Sequence, residues 1–260
     1  MRTVFAAAMA FLVLSPSALA GTGGTVPGSA ARLQGSWTMA GKVTRADNVR
    51  GEHKGQKVKR TWAFTSSCAS GACSRVSLRR ERSSKQFDKL TLKRSGSAYT
   101  GSGKFYVRLK CSGKTYKRGG IAYYTIKVRV TKSASVQGKR FATAISATYN
   151  NTRRVNKTPC AGAIGRDAGR YTGKHAAPIA PTADFEFANG STPLSVDFAD
   201  HSTRSKEARF VSWSWDFGDG GKSSEKNPTH QYSAPGNYDV KLTVKDNSGL
   251  TDSVTKRVTP

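Results

Sequence analysis

Trp215-Asp216-Phe217-Gly218-Asp219-Gly220 is the stretch of this 260-residue chain whose reading decides the fold. A few residues on stands Asn227-Pro228-Thr229-His230-Gln231-Tyr232. Then come Gly236-Asn237-Tyr238-Asp239-Val240-Lys241-Leu242-Thr243-Val244 and Asp246-Asn247-Ser248-Gly249. Taken alone, Asp216 and Asp219 have the look of paired carboxylates for general acid and base work. A glycosidase pair also needs a cleft between its carboxylates. The specificity lies in several motifs recurring in order, not in one short string.

That order resembles the PKD (polycystic kidney disease) domain, an immunoglobulin-like β-sandwich of extracellular proteins. The resemblance covers the last third of the chain. It implies a structural segment: Gly218 and Gly220 permit a tight turn, Trp215 packs into the core, and Asp216 and Asp219 bond local backbone amides. Phe217 belongs to the same motif, and His230 is expected to help pack the strand before Tyr232. Some PKD domains hold calcium with acidic loop residues. Here Asp246-Asn247-Ser248 falls short of an EF-hand's ligand spacing and reads as a turn. The resemblance implies a fold and a compartment, not a ligand or a reaction.

The N-terminus points to the same compartment. Arg2, an apolar run from Val4 to Leu14 and Ser15-Pro16-Ser17-Ala18-Leu19-Ala20 read as a removable secretory signal peptide over residues 1–20. No later stretch is apolar enough for a transmembrane segment, which needs about 20 such residues. In an oxidising compartment the four cysteines read as two disulfides. Three pairings are open; the favoured one joins Cys68 to Cys73 across a short loop and Cys111 to Cys160 between distant strands. A metal site is disfavoured because no histidine lies near them.

Charge is unevenly spread. Residues 31–174 hold 33 Lys and Arg against 5 Asp and Glu, whereas residues 175–260 hold 9 against 11. Such asymmetry points to an anionic partner for the basic part. The expected organisation is a flexible tether over 21–30, a basic domain over 31–174, a Pro-punctuated linker over 175–181 and the PKD-like domain over 182–260.

The basic domain reads as nearly pure β. Val76 and Leu78, Leu90 and Leu92, Phe105 to Leu109, Tyr124 to Val130 and Phe141 to Tyr149 each alternate apolar with polar residues. With strands at Trp37 and Trp62, about seven or eight strands suit an antiparallel meander curled into a barrel or sandwich. Gly101-Ser102-Gly103 reads as a hairpin turn. Gly35-Ser36-Trp37 resembles the opening of lipocalin-like barrels. Alternation sends apolar residues to one face and Lys and Arg to the other, with Tyr106 and Tyr123 among the cations, suited to stacking on sugars or bases.

Catalytic signatures are missing: there is no P-loop, no dinucleotide-binding glycine fingerprint, no H-E-x-x-H and no G-x-S-x-G. None of His53, His175, His201 and His230 reads as a base. The expectation is an all-β, non-catalytic protein, secreted or at the cell surface, with no metal and no cofactor. Its basic domain would hold an anionic polymer (wall polymer, acidic polysaccharide or DNA) or the cell envelope through Lys104, Arg108, Lys110, Lys127 and Arg129. The PKD domain would be a spacer or a protein or carbohydrate contact module. Two alternatives stand beside it: a lipocalin-like carrier with a small apolar ligand against Trp37, Trp62, Phe64, Leu78, Leu90 and Val128, or an accessory chain of an extracellular hydrolase.

Overall fold

The computed structural model describes residues 31–49, 51–68, 71–83, 86–160 and 165–260. The expected signal peptide and tether, residues 1–30, lie outside the described residues. Alternating sequence gives β1 (Gly35–Asp47), β2 (Lys57–Ser66), β3 (Arg75–Ser83), β4 (Gln86–Ser95), β5 (Ala98–Cys111), β6 (Lys114–Val136), β7 (Lys139–Asn156) and β8 (Arg166–Lys174). Each strand pairs with the next, and β8 returns antiparallel to β1, closing an eight-stranded barrel. Closure removes the open edges that a basic sheet would otherwise leave unpaired. No helix occurs among the described residues.

One turn expectation is corrected. Gly101 and Gly103 lie inside β5, opposite Ile126 and Tyr124. A Cβ at Gly103 would overlap the Tyr124 ring, so this glycine makes room for a tyrosine rather than a turn. The chain instead reverses at Gly96, where φ is +57°.

The barrel interior has two unlike ends. At one, Trp37, Trp62, Phe64, Leu78, Leu92 and Val128 are buried in one apolar cluster with Leu90 at its margin. The ring of Trp37 meets Phe64 edge-on at 6.3 Å and lies 5.1 Å from His175. These side chains fill the space that an apolar ligand would need, so this end is a packed core. The other end, ringed by the C-terminal parts of β1 and β3 and the N-terminal parts of β2, β4 and β8, is polar. Both disulfides form in the favoured pairing: Cys68–Cys73 beside the packed end, and Cys111–Cys160 joining the end of β5 to the segment after β7.

The rest of the chain forms β9 (Phe185–Asn189), β10 (Ser195–Asp200), β11 (Phe210–Asp216), β12 (Lys222–Ser223), β13 (Thr229–Gln231), β14 (Tyr238–Asp246) and β15 (Thr251–Val258). They make a three-stranded sheet, β13-β10-β9, and a four-stranded sheet, β12-β11-β14-β15. Phe185, Phe198, Trp215, Phe217 and Leu242 from both sheets share the core. The two units touch at the packed end of the barrel. Gln34 donates to Ser248 Oγ at 2.7 Å, and Gln137 both donates to Thr251 O at 2.7 Å and accepts from Thr251 N at 3.0 Å.

Candidate functional site

Strand register assembles a feature that no single strand shows. Lys57 on β2 stands opposite Lys42 on β1, which stands opposite Arg170 on β8. Arg170 faces Thr148 on β7, and Thr148 faces Lys127 on β6. Lys127 faces Thr100 on β5, Thr100 faces Lys93 on β4, and Lys93 faces Arg75 on β3. All eight residues are exposed, six are cationic and no carboxylate stands in the row. The result is a belt of positive charge winding across every strand of the barrel.

The residues expected from sequence to meet an anion are all exposed, but they do not form one cluster. Lys127 belongs to the belt. Arg129 lies opposite Ala98 and Ser146, one step along the same face. Lys104 stands opposite Tyr123, whose other neighbour is Arg153, with the Arg153 guanidinium 4.7 Å from the Tyr123 ring centre. Arg118 lies 4.8 Å from the ring centre of Tyr106, so aromatics and cations do share this outer surface. Lys110 sits near the β5–β6 turn opposite Thr115. The pairing slips between Val107 and Leu109, and Arg108 at that irregularity lines the polar mouth of the barrel.

The expectation that all Lys and Arg face outward is corrected at that mouth. Arg60, Arg80, Arg82 and Arg154 point inward, and Arg80 is only 3 % exposed. Arg80 Nη2 donates to Asp88 Oδ2 at 2.8 Å, and Arg82 Nε lies 3.7 Å from Asp88 Oδ1. Arg154 Nη2 donates to Asp167 Oδ1 at 2.7 Å, and Asn151 donates to the same oxygen at 2.9 Å. The Arg80 guanidinium also sits 4.4 Å from the centre of the Tyr124 ring and 4.5 Å from that of Tyr149. Burial, aided by Asp167, pushes the Glu52 carboxyl up against the pull of Arg60 and Arg154. Burial likewise pushes the Tyr149 phenol far up and keeps it a neutral donor. Three of the five acids of the basic domain, Glu52, Asp88 and Asp167, are thus held at the mouth, which leaves the outer face still more cationic.

These residues were legible in principle. Phe64, Trp62, Arg60 and Val58 hold one alternation phase, as do Val76, Leu78, Arg80 and Arg82, and Asp88 precedes Leu90 and Leu92 in phase. A charged residue on the apolar phase is the signal. The belt gives no such signal, because register between strands is not written in either strand alone.

In the second unit, Asp216 Oδ1 accepts from Gly218 N at 3.2 Å and Asp219 Oδ1 from Gly221 N at 2.8 Å. Gly218 and Gly220 take φ of +84° and +96°, in the left-handed region that glycine adopts freely. Trp215 is buried and donates to Glu225 O at 2.9 Å. The His230 ring stacks on Phe217 at 4.0 Å, and its Nε2 lies 2.8 Å from Asp219 Oδ2. Asp246 Oδ1 accepts from Ser248 N and Leu250 N, closing a turn. Among the described residues no group of three or more His, Cys, Asp and Glu is placed to hold a metal ion.

Two antiparallel sheets packed over a shared aromatic core define this unit as an immunoglobulin-like sandwich with a glycine-aspartate turn at one edge. Residues 175–260 match the family described as PKD domain, and the chain therefore carries a PKD domain at its C-terminal end. The chain is similar to a microbial collagenase of Vibrio alginolyticus, 41% identical over 69 residues that make up 26% of this chain and 8% of that protein. It is also similar to the pre-pro-metalloprotease PrtV of Vibrio cholerae, 40% identical over 76 residues, 29% of this chain and 8% of that protein. The chain thus spans less than a tenth of the length of these curated relatives. The crystal structure of the PKD1 domain of Vibrio anguillarum Epp is 37% identical, with a TM-score of 0.30, covering 32% of this chain and 95% of that one.

Proposed function

We propose that this chain is an extracellular, non-catalytic binding protein whose barrel holds an anionic polymer and whose PKD domain acts as a spacer or contact module. The observation that carries the reading is the belt. Lys42 faces Lys57 and Arg170 directly, and Lys93 faces Arg75. Like charges directly opposite on a sheet are destabilising. A polyanion laid along the belt relieves that repulsion and releases its own counterions. The stacked pairs Arg118–Tyr106 and Arg153–Tyr123 add flat surfaces suited to sugars or bases.

Two disulfides and the apolar N-terminal run support an extracellular setting. The engagement of Asp216 and Asp219 with turn amides supports a non-catalytic role for the PKD domain. Its similarity to a collagenase and a metalloprotease favours, as a second reading, an accessory role beside a separate extracellular hydrolase.

The test is binding of the full chain to duplex DNA and to heparin across a salt series. The logarithm of the DNA affinity should fall steeply with the logarithm of salt, and the triple variant Lys42→Gln, Lys127→Gln, Arg170→Gln should lower the slope by about 2–3. An unchanged slope in the variant would remove the belt from the function.

A further inference from the structure

The mouth of the barrel is a site distinct from the belt. Its cavity of about 360 Å³ is lined both by the arginines Arg60, Arg82 and Arg154 and by the apolar side chains of Val58, Val107 and Leu109. That volume lies at the small end of ligand pockets. From these observations we propose that the mouth binds a small organic monocarboxylate, its head held by the arginines and its apolar body laid against the valine and leucine wall.

The charge balance at the mouth selects an anion. Five guanidinium groups, those of Arg60, Arg80, Arg82, Arg108 and Arg154, gather around three carboxylates, those of Glu52, Asp88 and Asp167. Among the described residues neither Arg60 nor Arg82 has a hydrogen-bonded carboxylate partner. Among the described residues Arg60 donates to two backbone carbonyls, Arg82 O at 3.0 Å and Lys59 O at 3.1 Å. Arg82 has a single contact to Asp88 at 3.7 Å, beyond hydrogen-bonding distance, and packs 4.0 Å from the centre of the Phe105 ring. Among the described residues the buried Nε–H groups of Arg80, Arg82 and Arg154 also have no acceptor. Buried donors of this kind demand one, and a partly desolvated guanidinium binds a carboxylate more strongly than a solvated lysine does.

A carboxylate suits the site better than a more highly charged head. Asp88 and Asp167 already stand beside the arginines, and a dianion would meet their repulsion. The planar guanidinium fork matches a carboxylate through two parallel hydrogen bonds. The raised affinity of Glu52 for its proton, caused by burial and by Asp167, further reduces competing negative charge at the rim. Tyr124 and Tyr149 flank Arg80 together, their ring centres 4.4 Å and 4.5 Å from the guanidinium and 5.6 Å from each other, which helps to hold it in place.

This inference does not depend on the belt. The experiment is calorimetric titration of the full chain with octanoate, octyl phosphate and octanol. Octanoate should bind one to one; octanol should be weaker by about 10-fold or more because it lacks the charge-assisted hydrogen bonds, and octyl phosphate weaker by a similar factor through repulsion from Asp88 and Asp167. Arg82→Gln should weaken octanoate about 10-fold. Val107→Asp, which places a competing carboxylate inside the cavity, should abolish binding. The triple belt variant should leave octanoate affinity unchanged. Octanol binding as tightly as octanoate, tighter binding of octyl phosphate, or octanoate affinity lost in the belt variant and kept in Arg82→Gln would each overturn the proposal. So would the absence of octanoate binding at millimolar concentration.

Discussion

At the scale of single residues, burial decides which charges matter. Arg80 and Asp88 form an ion pair whose side chains are only 4 % and 9 % exposed. Removing one partner strands the other charge in the barrel. Asp88→Ala should therefore cost about 3–5 kcal/mol of folding stability, measured by urea unfolding, while Arg80→Met with Asp88→Leu should come close to neutral. A surface pair such as Arg257 with Asp239 carries no comparable weight. Asp219 in the PKD turn gives a pH dependence. Burial opposes its ionisation, but the hydrogen bonds from His230 and the Gly221 amide outweigh it and hold the carboxyl below its ordinary value. The folded state thus binds this proton less tightly than the unfolded chain does. The stability it contributes is present above about pH 4 and is lost as pH falls through the folded value. Asp219→Asn should flatten the acid limb of unfolding followed by Trp215 fluorescence. An acid limb as steep in the variant as in the parent would remove Asp219 from the acid sensitivity.

At the scale of strands, what was legible from sequence depended on whether the information is local. The alternation of Leu90 with Leu92, or of Tyr124 with Ile126 and Val128, marked strands and their inner phase because one face of each is buried. Gly101-Ser102-Gly103 misled because glycine serves both turns and crowded strand interiors, and only the neighbour Tyr124 distinguishes them. The PKD turn was readable because its glycines, aspartates and Trp215 act on one another within a few residues. The belt was not, since it needs the pairing of all eight strands at once. The disulfide Cys111–Cys160 belongs to this scale as well, linking positions 49 residues apart where β5, β6 and β7 reach their far ends. Replacing both cysteines by serine should lower stability by about 2–4 kcal/mol. The loss should show as faster amide exchange at the ends of β5 and β7, with the PKD domain unchanged; uniform protection would contradict a local tie.

At the scale of the whole molecule, the parts lie in a fixed order. The PKD domain meets the packed end of the barrel through Gln34, Gln137 and Ser248, the arginine-lined mouth opens at the opposite pole, and the cationic belt runs obliquely along the flank from Lys57 at the mouth to Arg75 at the packed end. That sequence gives the protein a direction. Were the PKD domain to rest on a wall, a fibre or a partner enzyme, the mouth would be the part held farthest from that support, facing the surrounding medium. A long polymer could wrap the flank without blocking it, and a small solute could come and go while the polymer stayed in place. Anchoring and sampling would then occupy opposite poles, with the polymer held along the flank that joins them.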